Sequence, residues 1–563
     1  MNLKNKTSFY LFLTGFLFLV TSISFSQQDL TPVQDNVYIF LKRMQLQGLI
    51  PQYNSSNLPL SRNQISNFLK QIGFQKSKLA NTDKNILDEY LVDYSYELTG
   101  KVKAENILQG GNILSNKNKY LYYDADSSNS LFTNLYFGVN QKVGNGDSLG
   151  NHKITLGEAG IVIRVTFRNI LGFYLKATNG EKLIGDSADI QFAINNDIKY
   201  KANNKFVLEK KNFDSFRGYL RYAPKNDEWI SVMIGREQIN QGFGYMDKLY
   251  YSNNTIPFDL VKLDLNFKKV NYSFSFGSLK GDSLGRDIPT KIIASHRLNL
   301  NLFETFKLGF FESIVSTATP FSITYLNPIS FLTSADLNTG QASTESSNTS
   351  LGLDFEYIPV KNLGLQWTFL IDDINLKTVF KDDSTYNDNK FGYQLGIFWN
   401  DAFTLPGLTF TTEYTRLDPF VYSHRSNKSN YTNWALPLGH HIESNSDEIA
   451  GELQYFISNR FNVKLRYGYT RHGSGFILDS LGNLVRNFGG DINFGEGDQT
   501  VPVKNTFLQG YRINSNNISF SLNFQPLKQL FIDLNFQYWL SDYVYKNQKY
   551  KDFYFNGYFY FYI

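Results

Sequence analysis

Two stretches of the chain gather aromatic and charged side chains. Their members are Arg236, Tyr245, Asp247, Tyr250, Tyr251, Tyr431, Trp434, His440 and His441. Flat aromatic rings can stack on the C–H faces of a sugar, while Arg, Asp and His can meet hydroxyls and uronate carboxylates. These nine residues are therefore candidates for ligand binding. The alternative is that the same aromatic residues pack on one another as a small core of their own.

The adjacent histidines His440 and His441 raise the question of a metal site. Adjacent residues of an extended chain point to opposite faces, and no His or Cys stands four residues from either of them. The segment Gly473-Ser474-Gly475 lacks the strand–turn–helix context of a nucleophile elbow. We therefore predict no metal site, no catalytic residues and no cofactor, in a protein that is not an enzyme.

Composition narrows the class of protein. Of 563 residues, 16% are aromatic and 19% are charged, and the mean hydropathy is −0.31. This hydropathy excludes a polytopic helical membrane protein. The net charge of +4 is spread along the chain without a basic patch, so no nucleic-acid partner is expected. The lack of cysteine excludes disulfides, thiolate metal sites and thiol catalysis.

Residues 1–26 have the pattern of a secretory signal peptide. Lys4 and Lys6 precede the apolar run FYLFLTGFLFLV, and Ser24 and Ser26 fit the small-residue rule before a cut ahead of Gln27. The apolar run of 12 residues is too short to span a membrane comfortably. No later segment is longer and equally apolar, so any insertion into a membrane must use strands.

Residues 27–97 have a helical pattern that differs from everything downstream. Ser61 and Gln64 have the spacing of a capping box that opens a helix, and Gly73 is expected to end it. Thr82 is expected to cap the next helix. We predict a small periplasmic helical bundle over 27–97 and a polar linker over 98–129.

Residues 130–563 have the pattern of antiparallel strands. In VKLDLNFKKVNYSFSF (261–276), Val261, Leu263 and Leu265 alternate with Lys262 and Asp264, which predicts a hairpin. Short and long connections alternate along this region, and the long ones include 142–155, 278–290, 315–349, 372–390 and 541–551. Such sidedness is typical of an outer-membrane barrel, with tight periplasmic turns and extended outer loops.

The count of predicted strands is about 18, and the chain stops inside a last strand, FYFNGYFYFYI (553–563). The predicted fold is thus an all-β transmembrane barrel of about 18 antiparallel strands over 130–563, with the helical bundle before it. In this fold Val261, Leu263 and Leu265 face lipid, while Lys262 and Asp264 face the lumen.

The chain resembles the Wzi-type capsule-assembly family of outer-membrane proteins. The segments that carry the resemblance are NLPLSRNQISNFLKQI (57–72), IGREQINQGFGYMDKLYYSNNTIPFDLV (234–261), SHRLNL (295–300), GFFESIVSTATPFSITYLNPISF (309–331) and YTNWALPLGHHIESNSDEIAGELQYF (431–456). The region after 471 carries no motif that matches. Where that family often has a tryptophan after the Gly-Arg pair, this chain has Gln241-Gly242-Phe243-Gly244.

The resemblance implies an eighteen-strand barrel with a periplasmic helical bundle, in agreement with the count from the sequence. It further implies a lectin-like role in binding or organising capsular or exopolysaccharide at the surface of a Gram-negative bacterium. The expected partners are surface polysaccharide, outer-membrane lipid and the barrel assembly machinery, with the protein as a monomer. The alternative function is an outer-membrane porin or a substrate-specific diffusion channel.

Overall fold

The computed structural model describes residues 27–563 except 225–228, 282–289, 318–322, 339–346, 375–377, 379–386, 388, 426 and 496–502. The predicted signal peptide, 1–26, lies outside the described residues, as do parts of the predicted loops 278–290, 315–349 and 372–390. Among the described residues, no helix is both long enough and apolar enough to cross a membrane.

The N-terminal region folds into helices α1 (Val37–Leu46), α2 (Arg62–Phe74), α3 (Asn81–Asp93) and α4 (Ser95–Thr99). The predicted capping box is confirmed, because Ser61 accepts from the Gln64 amide and Gln64 accepts from the Ser61 amide. Two predicted boundaries are wrong. Helix α2 continues through Gly73, which does not adopt the left-handed conformation that ends a helix, and α3 begins after an extended Ala80, which leaves Thr82 inside it.

Within the described residues, eighteen long antiparallel strands close into a barrel, which confirms the predicted count. The first nine are β1 (Ser130–Gly146), β2 (Gly150–Phe167), β3 (Leu171–Ile184), β4 (Asn212–Tyr222), β5 (Ile230–Glu237), β6 (Phe258–Phe267), β7 (Val270–Lys280), β8 (Thr290–Phe303) and β9 (Phe306–Ser316). The others are β10 (Ser347–Val360), β11 (Leu363–Asp373), β12 (Lys390–Asn400), β13 (Leu408–Leu417), β14 (Ser446–Ser458), β15 (Phe461–Ser474), β16 (Tyr511–Leu527), β17 (Leu530–Tyr543) and β18 (Gln548–Tyr562). Strand β18 pairs with β1, so the barrel has no free edge.

The predicted facing of the strands is confirmed in β6. Lys262 is buried inside the barrel, where it pairs with Asp264 at 2.9 Å, whereas Phe267 on the opposite face is exposed. Strands with a period of two place one set of side chains inside and the other outside. The apolar set of β6 therefore forms the outer surface of the barrel.

Two of the connections predicted to be long are short. The 142–155 region forms the ends of β1 and β2 around the turn 147–149, and 541–551 forms the ends of β17 and β18 around 544–547. These strand ends are polar, so the sequence has no apolar alternation there. Backbone pairing continues nevertheless, since a strand end needs an apolar outer face only where it contacts lipid.

The segment predicted as a linker, 98–129, contains three short strands. Ala104–Asn106 pairs in parallel with Asn118–Tyr120, and Tyr122–Ala125 pairs with the start of β1. The last of these pairings attaches the segment to the barrel, so it is ordered next to the first strand.

The helical region docks at the end of the barrel where the short turns lie. Glu89 of α3 pairs with Arg460 and Lys528, which follow β14 and β16. Lys42 of α1 pairs with Glu356, an inward-facing residue of β10. Helix α1 therefore reaches into the barrel itself.

The long connections carry helices of their own. Helices α5 (Ser187–Asn196), α6 (Ile198–Lys201) and α7 (Asn204–Glu209) lie in the lumen between β3 and β4, and Lys142 of the wall pairs there with Asp197 at 2.6 Å. Helices α8 (Ile323–Leu326) and α9 (Leu332–Asn338) instead lie against the outer surface, where the Glu312 carboxylate accepts from the Leu332 amide at the start of α9.

Removal of the Arg43 charge should detach the helical region. The Arg43 guanidinium lies 2.6 Å from the Asp83 carboxylate and donates to Asn400 of the barrel, with both charged side chains fully buried. In Arg43→Met the Asp83 carboxylate of the helical region and the Asp401 carboxylate after β12 lose the cation that they share, which should cost about 3–5 kcal/mol. The measurement is the urea concentration at which a protease releases the helical region from protein in detergent micelles. This concentration should be lower for the variant than for the wild type.

The matched control is Lys76→Met, which removes an ion pair with Asp88 between two exposed side chains. Exposed pairs contribute about 0–1 kcal/mol, so the urea midpoint should stay near wild type. An equal shift in both variants would contradict the assigned role of Arg43.

Candidate functional site

The two predicted ligand-binding stretches lie in the long connections 238–257, here loop A, and 418–445, here loop B. Three of the predicted residues form a core between these loops: Tyr250 and Tyr251 are each 1% exposed, and Tyr431 is 2% exposed. Tyr250 stacks on Phe311 of β9 with ring centroids 4.4 Å apart. Buried rings present no face to a ligand, so in this structure the three tyrosines pack the interior, and their contact with a ligand stays a prediction.

Hydrogen bonds fix this aromatic core inside the barrel. The Tyr431 hydroxyl donates to the Tyr250 carbonyl at 3.1 Å, and the Tyr250 hydroxyl donates to the Glu312 carbonyl at 2.8 Å. These rings are buried because the lumen is wide. The wall side chains of a barrel of about 16–18 strands cannot fill it. The loops fold inward and fill part of that space with their aromatic rings.

Two further candidates lie apart from the core. Tyr245 packs on Phe398 of the wall and beneath the Lys42 ammonium of α1, so it connects loop A to the helical region. The candidate Arg236 belongs to β5, where it faces outward and pairs with Asp259 of β6 at 2.6 Å. The strand continues past the Gly-Arg pair, which places Arg236 away from both loops.

Trp434 lies at the tip of a small hairpin in loop B, formed by Thr432–Asn433 and Leu436–Pro437. Trp434 and Ala435 have φ angles of 56° and 58°, as a tight hairpin turn requires. The Trp434 amide donates to the Lys280 carbonyl at 2.9 Å, next to the end of β7. Its side chain is partly exposed, so it remains available to a ligand.

The adjacent histidines do not point to opposite faces, contrary to the prediction. The His440 and His441 rings stack with centroids 4.6 Å apart, because the chain turns at this point and the Ile442 amide donates back to the His440 ring. Nδ1 of His441 lies 2.7 Å from the Asp247 carboxylate of loop A, and Nε2 lies 2.9 Å from the Glu448 carboxylate of β14. His441 therefore bridges two carboxylates.

These positions give the two histidines different charges. Burial alone would lower the pKa of His441, but the Glu448 and Asp247 carboxylates outweigh it and raise that pKa to about 9. Burial lowers the pKa of His440 to about 4, despite the nearby Asp247. The two histidines in turn hold the pKa of Asp247 well below its usual range, against the effect of its own burial. Near neutral pH His441 is a cation and His440 is neutral.

Asp247, His440 and His441 bring three potential ligand atoms within 4.8 Å of one another. In this structure the two ring nitrogens of His441 each face a carboxylate, Nδ1 that of Asp247 and Nε2 that of Glu448. Asp247 also accepts from the Ser252 hydroxyl and the Lys248 amide. The chemistry of this group is thus ion pairing that ties loop A to loop B and to the wall.

Sequence reasoning missed a group of exposed aromatic residues at the same end of the barrel. Its members, here the tyrosine cluster, are Tyr511, Tyr543, Tyr545 and Tyr550. The rings of Tyr511 and Tyr545 lie 4.8 Å apart, those of Tyr543 and Tyr550 lie 4.9 Å apart, and Lys546 lies over the Tyr543 and Tyr545 rings. Tyr511 is 39% exposed and Tyr545 is 44% exposed. The three tyrosines within the polar segment 541–551 were a signal that could have indicated the cluster.

An accessible polar surface leads from the tyrosine cluster into the lumen. Along β16 and β17 every inward-facing side chain is partly exposed, whereas those of β11 are buried by the loops and by α1. Hydroxyl, amide and carboxylate groups line it: Ser515 pairs with Ser541 at 3.1 Å, and Asn523 donates to Asp533 at 2.8 Å. We call this surface the polar groove.

A sequence profile of a family described as "Capsule assembly protein Wzi" matches residues 153–538, which is more than half of the chain. The match runs from β2 to β17, so it includes loops A and B and nearly all of the wall. The chain belongs to this Wzi family.

A solved structure agrees with this assignment at the level of the fold. Wzi of Escherichia coli, described as an outer-membrane protein involved in group 1 capsule assembly and a carbohydrate-binding β-barrel, is 11% identical with a TM-score of 0.53. That similarity covers 94% of this chain and 98% of the other. OprD of Pseudomonas aeruginosa is 10% identical over 77% of this chain and 95% of the other, with a TM-score of 0.41. No curated protein matches the chain.

The His441 bridge should make the loops of this Wzi family member sensitive to alkaline pH. A folded-state pKa of about 9, above the ordinary value of about 6.5, means that the stabilisation is complete below about pH 6.5. The stabilisation by the His441 ion pairs should decline as pH rises and be absent above about pH 9. Protease cleavage within loops A and B should therefore increase between these limits.

In His441→Gln the cleavage rate should be higher at neutral pH but should show no rise across the same interval. The control is His152→Gln, which changes a histidine that pairs with Asp189 of α5, away from both loops. This variant should keep the alkaline rise. An unchanged rise in His441→Gln would contradict the assignment.

Proposed function

We propose that this protein is an outer-membrane barrel that binds surface polysaccharide at the cell surface, as a lectin does and without turnover. The exposed tyrosine cluster is the observation that carries the proposal. Family membership supports a role in capsule assembly, and the similar barrel from Escherichia coli is described as carbohydrate-binding.

The tyrosine cluster and the polar groove together have the chemistry that a polysaccharide requires. The C–H faces of sugar rings are apolar and can stack on exposed tyrosines such as Tyr511 and Tyr545. The hydroxyls around the ring edges need groups that both donate and accept, which the Ser and Asn side chains of β16 supply. Trp434 and the exposed edge of His441 are further candidate contacts in loop B.

The proposed orientation places loops A and B at the cell surface and residues 27–97 in the periplasm. The sidedness of the turns supports it, because short turns mark the periplasmic end of such barrels. The helical region docks at that same end. In this orientation the outward face contacts lipid, the β18–β1 closure is completed during assembly, and the barrel acts as a monomer.

Replacing Tyr511 and Tyr545 together with Ala should reduce the polysaccharide retained on intact cells. Each stacked ring contributes roughly 0.5–1.5 kcal/mol, by analogy with aromatic pairs, so the loss of two rings should weaken binding about 5- to 150-fold. The measurement is the ratio of cell-bound to released polysaccharide in cells carrying the variant or the wild type. Secretion itself should continue.

The matched control is Trp229→Ala, which removes an exposed aromatic ring at the short-turn end of the barrel. It should leave the ratio unchanged at an equal level of surface protein. If the control lowers retention as much as the tyrosine variant, or if neither does, the tyrosine cluster is not the binding surface.

A diffusion channel is the second candidate function, and the polar groove is what favours it. The rest of the lumen holds loops A and B, α1 and α5–α7, which leaves far less open section than an empty barrel of this size. We expect only small currents from purified protein in a planar bilayer, with no change in Asn517→Trp, which narrows the groove. A large steady current that this substitution abolishes would favour the channel.

A further inference from the structure

A cavity of about 320 Å³ lies at the end of the barrel opposite the tyrosine cluster. One side is formed by the chain before α2 and by α2 itself, and the other by inward-facing residues of β5 to β8. Small-molecule sites are typically clefts of about 300–1,000 Å³, so this space is large enough for a ligand.

Side-chain amides dominate the lining. They are Gln52, Asn54, Asn57, Gln64, Asn67, Gln71, Asn266, Asn271, Asn299 and Asn301. An amide both donates and accepts hydrogen bonds, as a sugar hydroxyl does, and it carries no charge. Amides therefore match a ligand with many hydroxyls better than they match an ion.

Four charged side chains line the cavity, Arg221, Lys262, Asp264 and Lys268, so its lining carries a net positive charge. The Lys262 ammonium lies 2.9 Å from the Asp264 carboxylate, and Asn57 donates to that carboxylate at 2.9 Å. The Arg221 guanidinium donates to the Gln28 side chain at 2.8 Å. This balance suits a neutral or acidic glycan better than a basic one.

The cavity has an accessible rim and a buried floor. Gln52 and Asn67 at the rim are exposed, while Asn299 and Met233 at the floor are buried. Phe68, Leu60 and Pro59 provide an apolar strip on the helical side. An apolar strip opposite a row of amides suits a sugar ring, which has C–H faces and hydroxyl edges.

We propose that this cavity binds a short segment of a polyhydroxylated glycan, as a second site separate from the tyrosine cluster. The helical region forms one wall of it, so the site exists only while α2 is docked on the barrel. Binding in this cavity does not depend on binding at the tyrosine cluster. Cell-wall glycan and exported polysaccharide share the required chemistry.

The test uses full-length protein that already carries Tyr511→Ala and Tyr545→Ala, so that the outer site does not contribute. Isothermal titration calorimetry measures the binding of three probes: maltotetraose, chitotetraose and tetragalacturonate. Asn67→Trp places a bulky ring at the rim, and Asn301→Leu removes an amide with little change in size. The matched control is Asn85→Trp, an equally exposed amide on α3 outside the cavity.

At least one probe should bind, and both cavity variants should weaken it about tenfold or more while Asn85→Trp does not. Preference for chitotetraose would indicate an amino-sugar glycan such as the cell wall contains, and preference for tetragalacturonate an acidic exported polymer. If Asn67→Trp fails to fold, Asn301→Leu alone decides the question. Absence of binding by all three probes, or binding unchanged in the cavity variants, would overturn the proposal.

Discussion

The volume enclosed by eighteen strands is the constraint on which the rest of this structure depends. Side chains from the wall of so wide a barrel reach only part of the way to its axis, so the interior must be filled by other segments or by water. Here loops A and B enter from one end and α1 enters from the other. They meet where Tyr245 of loop A lies beneath the Lys42 ammonium of α1.

The segments that fill the lumen determine which side chains remain accessible to a ligand at each end of the barrel. The tyrosines of loops A and B are used to pack the interior, and His441 is used to tie these loops to the wall. The surface that a polysaccharide can reach is instead formed by Tyr511 and Tyr545 and by the polar face of β16 and β17. A residue type suited to sugar binding is thus informative only when its ring is exposed.

The two ends of the barrel are filled in different ways. Apolar packing, buried hydrogen bonds and the ion pairs of His441 hold the loops at the end with long connections. At the opposite end, ion pairs such as Lys42 with Glu356 and Glu89 with Arg460 hold the helical region on the barrel, and side-chain amides line much of the space left between helix and wall. The first end suits a fixed outer surface, and the second leaves a cavity of defined shape.

The sequence by itself determined the barrel, its count of strands and the facing of residues such as Lys262 and Val261. It also determined the capping box at Ser61. These are local properties, since a period of two or a cap depends on residues a few positions apart. The contacts of Tyr250, Tyr431 and His441 depend on partners far away in the chain, such as Glu312 for Tyr250 and Asp247 for His441. Only the tertiary structure could decide it, because burial is set by what the closed barrel brings together.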